Sequence, residues 1–240
     1  MPSISFHQLT KHYGAVTALD GFTATAMPGR VTAFLGVNGA GKTTSMRILL
    51  GLSAPTSGSA TIDGVPYAEL RHPMRVVGAV LDQGFHPNRT AGNHIRLTAR
   101  QAGVPPEQAV ELLDRFGIGA AAGRRVGGFS LGMRQRLALA SAMVGDPSVL
   151  VLDEPLNGLD PDGIREMRRF LRSFADRGGT VFLSSHLLSE VAAVADDLVV
   201  ISRGQLAAAG AVGDLVAAGT DLESVFHDLI HTTDGQEVWS

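Results

Sequence analysis

The chain has 240 residues, 18% of them charged, a formal net charge of -3 and no cysteine. That length suits one large domain or a domain with a lobe, and it can bury a sizeable core. The near-neutral balance offers no basic field for nucleic acid or an anionic membrane surface, and the absence of thiols excludes a disulfide framework and thiolate chemistry. In chain order, two β segments come first: Ile4–Leu9 alternates apolar and polar residues, and Phe22–Ala26 does so more weakly. Pro28-Gly29 reads as a turn into the apolar run Val31–Leu35, a buried strand. A glycine-rich stretch follows, and then Ser45–Leu50, which reads as a helix. Thr61-Ile62 before Asp63-Gly64 reads as a short strand entering a turn, and Val76–Leu81 as another strand. From Ala91 to Arg124 the pattern becomes helical, with breaks at Gly103 and Pro105-Pro106. This predicts a helical lobe inserted over about residues 91–145 of a single domain, 1–240. A helix is expected from Ser130 to Val144, a strand at Val149–Leu152, a helix over Pro161–Ala175, a strand at Thr180–Leu183 and a helix at Leu187–Ala195. Leu198–Ile201 and Gln205–Ala209 read as a hairpin around Arg203-Gly204, and the tail, residues 211–240, as helical over Asp221–Ile230 with a polar end. Strands alternating with helices imply an α/β fold with a mostly parallel sheet covered on both faces. No run reaches the ~18 apolar residues of a membrane span. The N-terminus lacks the basic-then-apolar design of a secretory leader, so a chain soluble by itself in a reducing cytosol is expected.

The stretch Gly36-Val37-Asn38-Gly39-Ala40-Gly41-Lys42-Thr43-Thr44 carries the strongest chemistry. Strand, glycine loop, Lys-Thr and helix form the context of a phosphate-binding loop. Glycines let successive N–H groups point into one concavity, and the following helix adds its N-terminal partial charge. Lys42 supplies a full charge to the β/γ-phosphates, and the Thr43 hydroxyl can ligate Mg²⁺. A glycine turn with an incidental lysine would not need the flanking strand and helix. A second element is the strand Val149–Leu152, which runs into Asp153-Glu154. Ligands on open α/β sheets gather at the carboxyl ends of strands. Neighbouring strand residues point opposite ways, so the two acids are expected to take different jobs. Asp153 is expected to reach the Mg²⁺ shell, and Glu154 to accept a hydrogen bond from an attacking water as general base.

With these elements in place, the chain resembles the ATP-binding subunit of an ABC (ATP-binding cassette) transporter, and the resemblance spans nearly all of it. The resemblance implies a P-loop NTPase core with an N-terminal antiparallel β subdomain and an inserted α-helical subdomain. It implies that Tyr13, in Lys11-His12-Tyr13-Gly14, stacks on adenine, and that His186, in Ser184-Ser185-His186, is the switch histidine near the γ-phosphate. Phe129-Ser130-Leu131-Gly132-Met133-Arg134-Gln135-Arg136 resembles the family's signature, and Asn157-Gly158-Leu159-Asp160 the loop after the acidic strand. In the family the signature serine opens a helix that meets the γ-phosphate held by the other subunit. The implied assembly is therefore a homodimer, or a paired cassette, closed head to tail over two ATP molecules. Separate transmembrane permease subunits, a place on the cytoplasmic face of the membrane and no nucleic-acid partner are implied with it.

Two departures accompany the resemblance. Leu131 and Met133 stand where the signature usually carries glycine and glutamine, as in drug- and peptide-antibiotic exporter subunits. The loop that normally presents a glutamine to Mg²⁺ has Asp82 at the position counted from Gly78, whereas residue type favours Gln83; both stay open. The alternative reading is a soluble ABC-type ATPase of the translation or DNA-repair kind, without a membrane partner. Those branches usually carry two cassettes in one chain or a long coiled-coil insertion, and neither is found here. A GTPase would need an Asn-Lys-x-Asp guanine reader, and a nucleotide kinase would not need the Ser130–Arg136 motif.

Overall fold

The computed structural model describes residues 1–81, 84–186 and 193–216. Asp82, Gln83, most of the helix expected over Leu187–Ala195 and the tail helix at Asp221–Ile230 lie outside the described residues.

Two sheets form. The smaller joins β1 (Ile4–Tyr13), β2 (Val16–Ala26) and β4 (Ser57–Ile62) in antiparallel order β2-β1-β4. Its strands run longer than the alternation predicts, because register shifts between Phe6 and Leu9, Leu9 and Lys11, and Lys11 and His12 break the period of two. Gln8 sits at one of these irregularities with φ of 45°, and its amide donates to Thr23 Oγ1 at 2.9 Å.

The larger sheet has the order β5-β6-β7-β3-β8-β9. It contains β3 (Val31–Leu35), β5 (Val77–Val80), β6 (Val149–Leu152), β7 (Thr180–Ser185), β8 (Asp197–Ser202) and β9 (Gln205–Ala211). Its pairs are parallel except β8–β9, the expected terminal hairpin. Every residue of β3, β6 and β7 is buried, which is why these segments read as continuous apolar runs. Alternate residues feed two cores. Ala33, Leu35, Leu150, Leu152, Val181 and Leu183 pack with the helices α3 (Ala91–Ala102), α4 (Pro106–Arg115), α5 (Leu131–Ala142) and α6 (Pro161–Asp176). Phe34, Val149, Val151, Phe182 and Ile201 pack instead with α1 (Lys42–Leu49) and the smaller sheet. Four rings close that second core: Phe6–Phe22 at 5.4 Å, Phe22–Phe34 at 5.5 Å, Phe34–Phe182 at 5.0 Å and Phe6–Phe182 at 5.6 Å between centroids. One face of the main sheet is therefore covered by helices, and the other largely by a second sheet. A further short helix, α2 (Pro73–Val76), precedes β5.

The two ends of the main sheet have different chemistry. At the start of β3 and β8, Arg30 grips Asp197 at 2.5 and 2.6 Å, and Arg172 of α6 grips Asp196 at 2.8 and 2.9 Å. The hydroxyls, carboxylates and glycine loop that the sequence singles out gather at the opposite, carboxyl ends.

Candidate functional site

The site begins where β3 ends. Gly36 leaves the strand so close to β8 that an added Cβ would meet Ile201 O at 2.5 Å. Gly39 and Gly41 take φ of 84° and 111°, and a Cβ at Gly41 would meet Ala18 O at 2.6 Å. Only glycine satisfies both the positive φ and the close approach. The loop closes on itself through Ala40 N to Val37 O at 3.1 Å, and α1 starts with Ser45 N to Gly41 O at 2.9 Å. Lys42 is folded back under this loop, 6% exposed, with Nζ donating to Gly36 O at 2.6 Å and Val37 O at 3.3 Å. Burial lowers the pKa of the Lys42 ammonium, and the nearby Glu154 and Asp153 carboxylates oppose that shift.

Strand β6 delivers the acids. Thr43 Oγ1 donates to Asp153 Oδ2 at 2.8 Å, which ties the glycine loop to the acidic strand. The Ser184 hydroxyl, on the adjacent β7, donates to Asp153 Oδ1 and accepts the Glu154 amide at 2.9 Å. His186 Nδ1 lies 3.0 Å from Glu154 Oε2. The two acids do not follow strand alternation. β6 stops at Leu152, and Glu154 takes φ of 48°, so Asp153 and Glu154 line the same cavity. That open cavity, of ≈ 200 Å³, is lined by Asn38, Gly39, Gly41, Lys42, Thr43, Thr44, Asp153 and Glu154. A hydroxyl and a carboxylate in contact make a hard oxygen donor pair of the kind Mg²⁺ takes.

The remaining expected residues lie outside this cavity. Tyr13 is at the end of β1, half-exposed, with Lys11 Nζ 4.8 Å from its ring centroid. Ser130 caps α5, its Oγ accepting from Met133 N at 3.3 Å, with Leu131 and Gly132 in the first turn. Asp160 caps α6 through Gly163 N at 2.8 Å.

A family profile described as ABC transporter matches residues 19–157, which include the glycine loop, the signature stretch and the acidic strand. The chain belongs to the ABC transporter family. The bacitracin transport ATP-binding protein of Bacillus licheniformis is 42% identical over 202 residues, covering 82% of this chain and 66% of its own length. The chain thus spans just under two thirds of that relative. The lantibiotic transport ATP-binding protein of Streptococcus pyogenes is 38% identical over 204 residues, covering 85% of this chain and 88% of its own. A solved ATP-binding subunit of an ABC transporter superposes with a TM-score of 0.85 at 26% identity, over 94% of this chain and 98% of that one. The fold is that of ABC cassettes, as the P-loop core with its antiparallel subdomain predicts. Among the described residues no helix is long and apolar enough to cross a membrane.

Two residues beside the acids, Ser184 and Gln135, appear in the sequence motifs without a role of their own. Ser184 is fully buried and bonds the Asp153 carboxylate and the Glu154 backbone N–H, and Gln135 is 2% exposed and donates to Pro155 O at 2.9 Å, just past Glu154. A pair of hydroxyls closing a buried apolar strand, beside the end of the acidic strand, is the signal that could have exposed Ser184.

Proposed function

We propose that this cassette is the ATP-binding and ATP-hydrolysing subunit that energises export through separate transmembrane permease subunits, from the cytoplasmic face of the membrane. One observation carries the reading: the hydrogen-bonded chain Thr43–Asp153–Ser184–Glu154–His186 at the mouth of the glycine loop. The loop amides from Gly36 to Thr44 and the N-terminus of α1 receive the phosphates, and Lys42 exchanges its two loop carbonyls for phosphate oxygens. Thr43 and Asp153 would hold Mg²⁺, which when bound would offset the negative charge of the phosphates. Glu154 orients and deprotonates the attacking water, and His186 holds that carboxylate in place. Tyr13 offers its ring to adenine. Ser130 to Met133 lie outside the cavity of their own chain, which suits a role toward the nucleotide of a paired cassette, with Asp160 in the loop beside it. The bacitracin and lantibiotic names of the two relatives support a peptide-antibiotic class of cargo. The near-neutral charge gives a soluble nucleic-acid-acting ATPase no comparable support.

The test is Glu154→Gln. It should leave ATP affinity intact while turnover falls ~10²-fold or more, the usual scale for losing a general base. Incubation with ATP should then trap a pair of cassettes visible by light scattering. Turnover within twofold of the unaltered chain would refute the assignment. Chelation of divalent ions by EDTA should stop hydrolysis in the unaltered chain.

A further inference from the structure

Leu131 is a large apolar side chain, 49% exposed, at the first position of α5. It rests on Gly158 of the loop after the acidic strand. A Cβ added at Gly158 would overlap Leu131 Cδ2 and come within 2.8 Å of its Cγ. Gly158 has φ of 72°, so its lack of a side chain serves both the backbone turn and the seat for Leu131. The next pair is reversed: Leu159 Cδ2 lies 3.8 Å from where a Cβ on Gly132 would be. Each leucine thus faces a glycine of the other segment. One turn further along the same helix face, Gln135 Nε2 donates to Pro155 O at 2.9 Å from a fully enclosed position. Residues 131, 132 and 135 of α5 are therefore keyed to residues 155, 158 and 159, a segment that begins at the Glu154 carboxylate.

We propose that this leucine–glycine interlock, with the Gln135 clamp, mechanically couples the Ser130 end of α5 to Glu154, and that Leu131 is a positioning residue for hydrolysis. The inference rests on the composite site described above, in which Ser130 serves one nucleotide and Glu154 the other. When a phosphate draws Ser130, the interlock moves the Pro155–Leu159 segment with it and sets the carboxylate on its water. Leu131 at a position where glycine would leave a gap makes this coupling rigid in the present chain.

The experiment is a mutant cycle on steady-state ATP hydrolysis with Leu131→Ala, Gly158→Ala, the double variant and Leu131→Met. Gly158→Ala should lower kcat about tenfold or more and Leu131→Ala several-fold, while KM stays within about twofold, because neither the Gly36–Thr44 loop nor Ser130 is altered. The double variant should exceed Gly158→Ala by about threefold, since truncating Leu131 removes the overlap, although alanine at positive φ keeps rescue incomplete. Leu131→Met, which keeps a long apolar side chain over Gly158, should recover most of the kcat that Leu131→Ala loses. A double variant at or below the product of the singles, or kcat and KM falling together in Leu131→Ala, would overturn the coupling while leaving the hydrolytic reading intact. An unaltered chain without ATPase activity would overturn that reading and this inference together.

Discussion

Removing the Ser184 hydroxyl tests the junction between the two acids. In Ser184→Ala, Asp153 loses a donor and the Glu154 amide loses its acceptor, both inside a strand pair that admits no water to Ser184. A hydrogen bond to a charged group contributes ~1.5–3 kcal/mol, and an amide left without a partner costs ~1–3 kcal/mol. Asp153 and Glu154 are only partly buried, so the lower halves of those ranges apply, about 3 kcal/mol in all. Spent entirely on the transition state, that is a loss of ~10²-fold in kcat. Spent entirely on the folded state, it lowers Tm by ~6–12 °C for a chain of this size. The expected result is a division between the two, with the rate taking the larger share, because Glu154 is held at φ of 48° partly by that amide bond. Steady-state ATPase assays and a thermal melt of the same preparation measure both parts. A variant with kcat within twofold and Tm within ~1 °C of the unaltered chain would refute the reasoning.

Lys42→Ala should weaken ATP binding by ~10–100-fold in calorimetry, since a charge-assisted contact is lost from a desolvated site; unchanged affinity would contradict the phosphate cradle. Mixing that variant with a chain altered at Ser130 should restore about one working site per mixed pair, and no recovery at any ratio would argue against a shared site. His94 gives a pH-dependent prediction. Burial, reinforced by the Arg89 guanidinium, lowers its pKa below the ordinary 6.5, and its Nδ1 is enclosed without a hydrogen-bond partner among the described residues. The unfolded chain therefore takes up the proton first as pH falls, so stability drops as pH goes down through 6.5 and levels off only below the folded-state value. Urea unfolding from pH 7.5 to 5.5 should show this slope, and His94→Gln should flatten it.

The parts of the site that the sequence reveals are those written in consecutive residues. The glycine loop, the acidic strand end and the serine that caps α5 each combine residue type with local context, so their positions are readable before any packing is known. Ser184 escapes because its role comes from parallel pairing across the sheet. Leu152 lies beside Leu183, and that register alone brings the next residue's hydroxyl between Asp153 and Glu154. The premise that the two acids point opposite ways fails for a related reason: it assumes the strand continues, whereas the chain turns at Glu154 through a positive φ that no periodicity announces. In the smaller sheet, strand existence is legible but length is not, because bulges after Phe6 and Leu9 scramble the alternation that would mark its extent. The Gly158 seat is invisible for the same reason as Ser184, since a glycine in a loop says nothing about which side chain will lie on it.

The four packed phenylalanines have a consequence for how a nucleotide is measured. They weld the small sheet, whose first strand ends in Tyr13, to the strand that launches the glycine loop, while Gly41 and Gly204 both pass the Ala18 backbone too closely for a side chain to fit between. On the proposed reading, the supports under the base and under the phosphates are thus one block, a caliper whose jaws are set when the protein folds. Such a caliper would grip the diphosphate and the triphosphate alike, so what would distinguish fuel from spent product is the reach of the last phosphoryl group beyond the jaws.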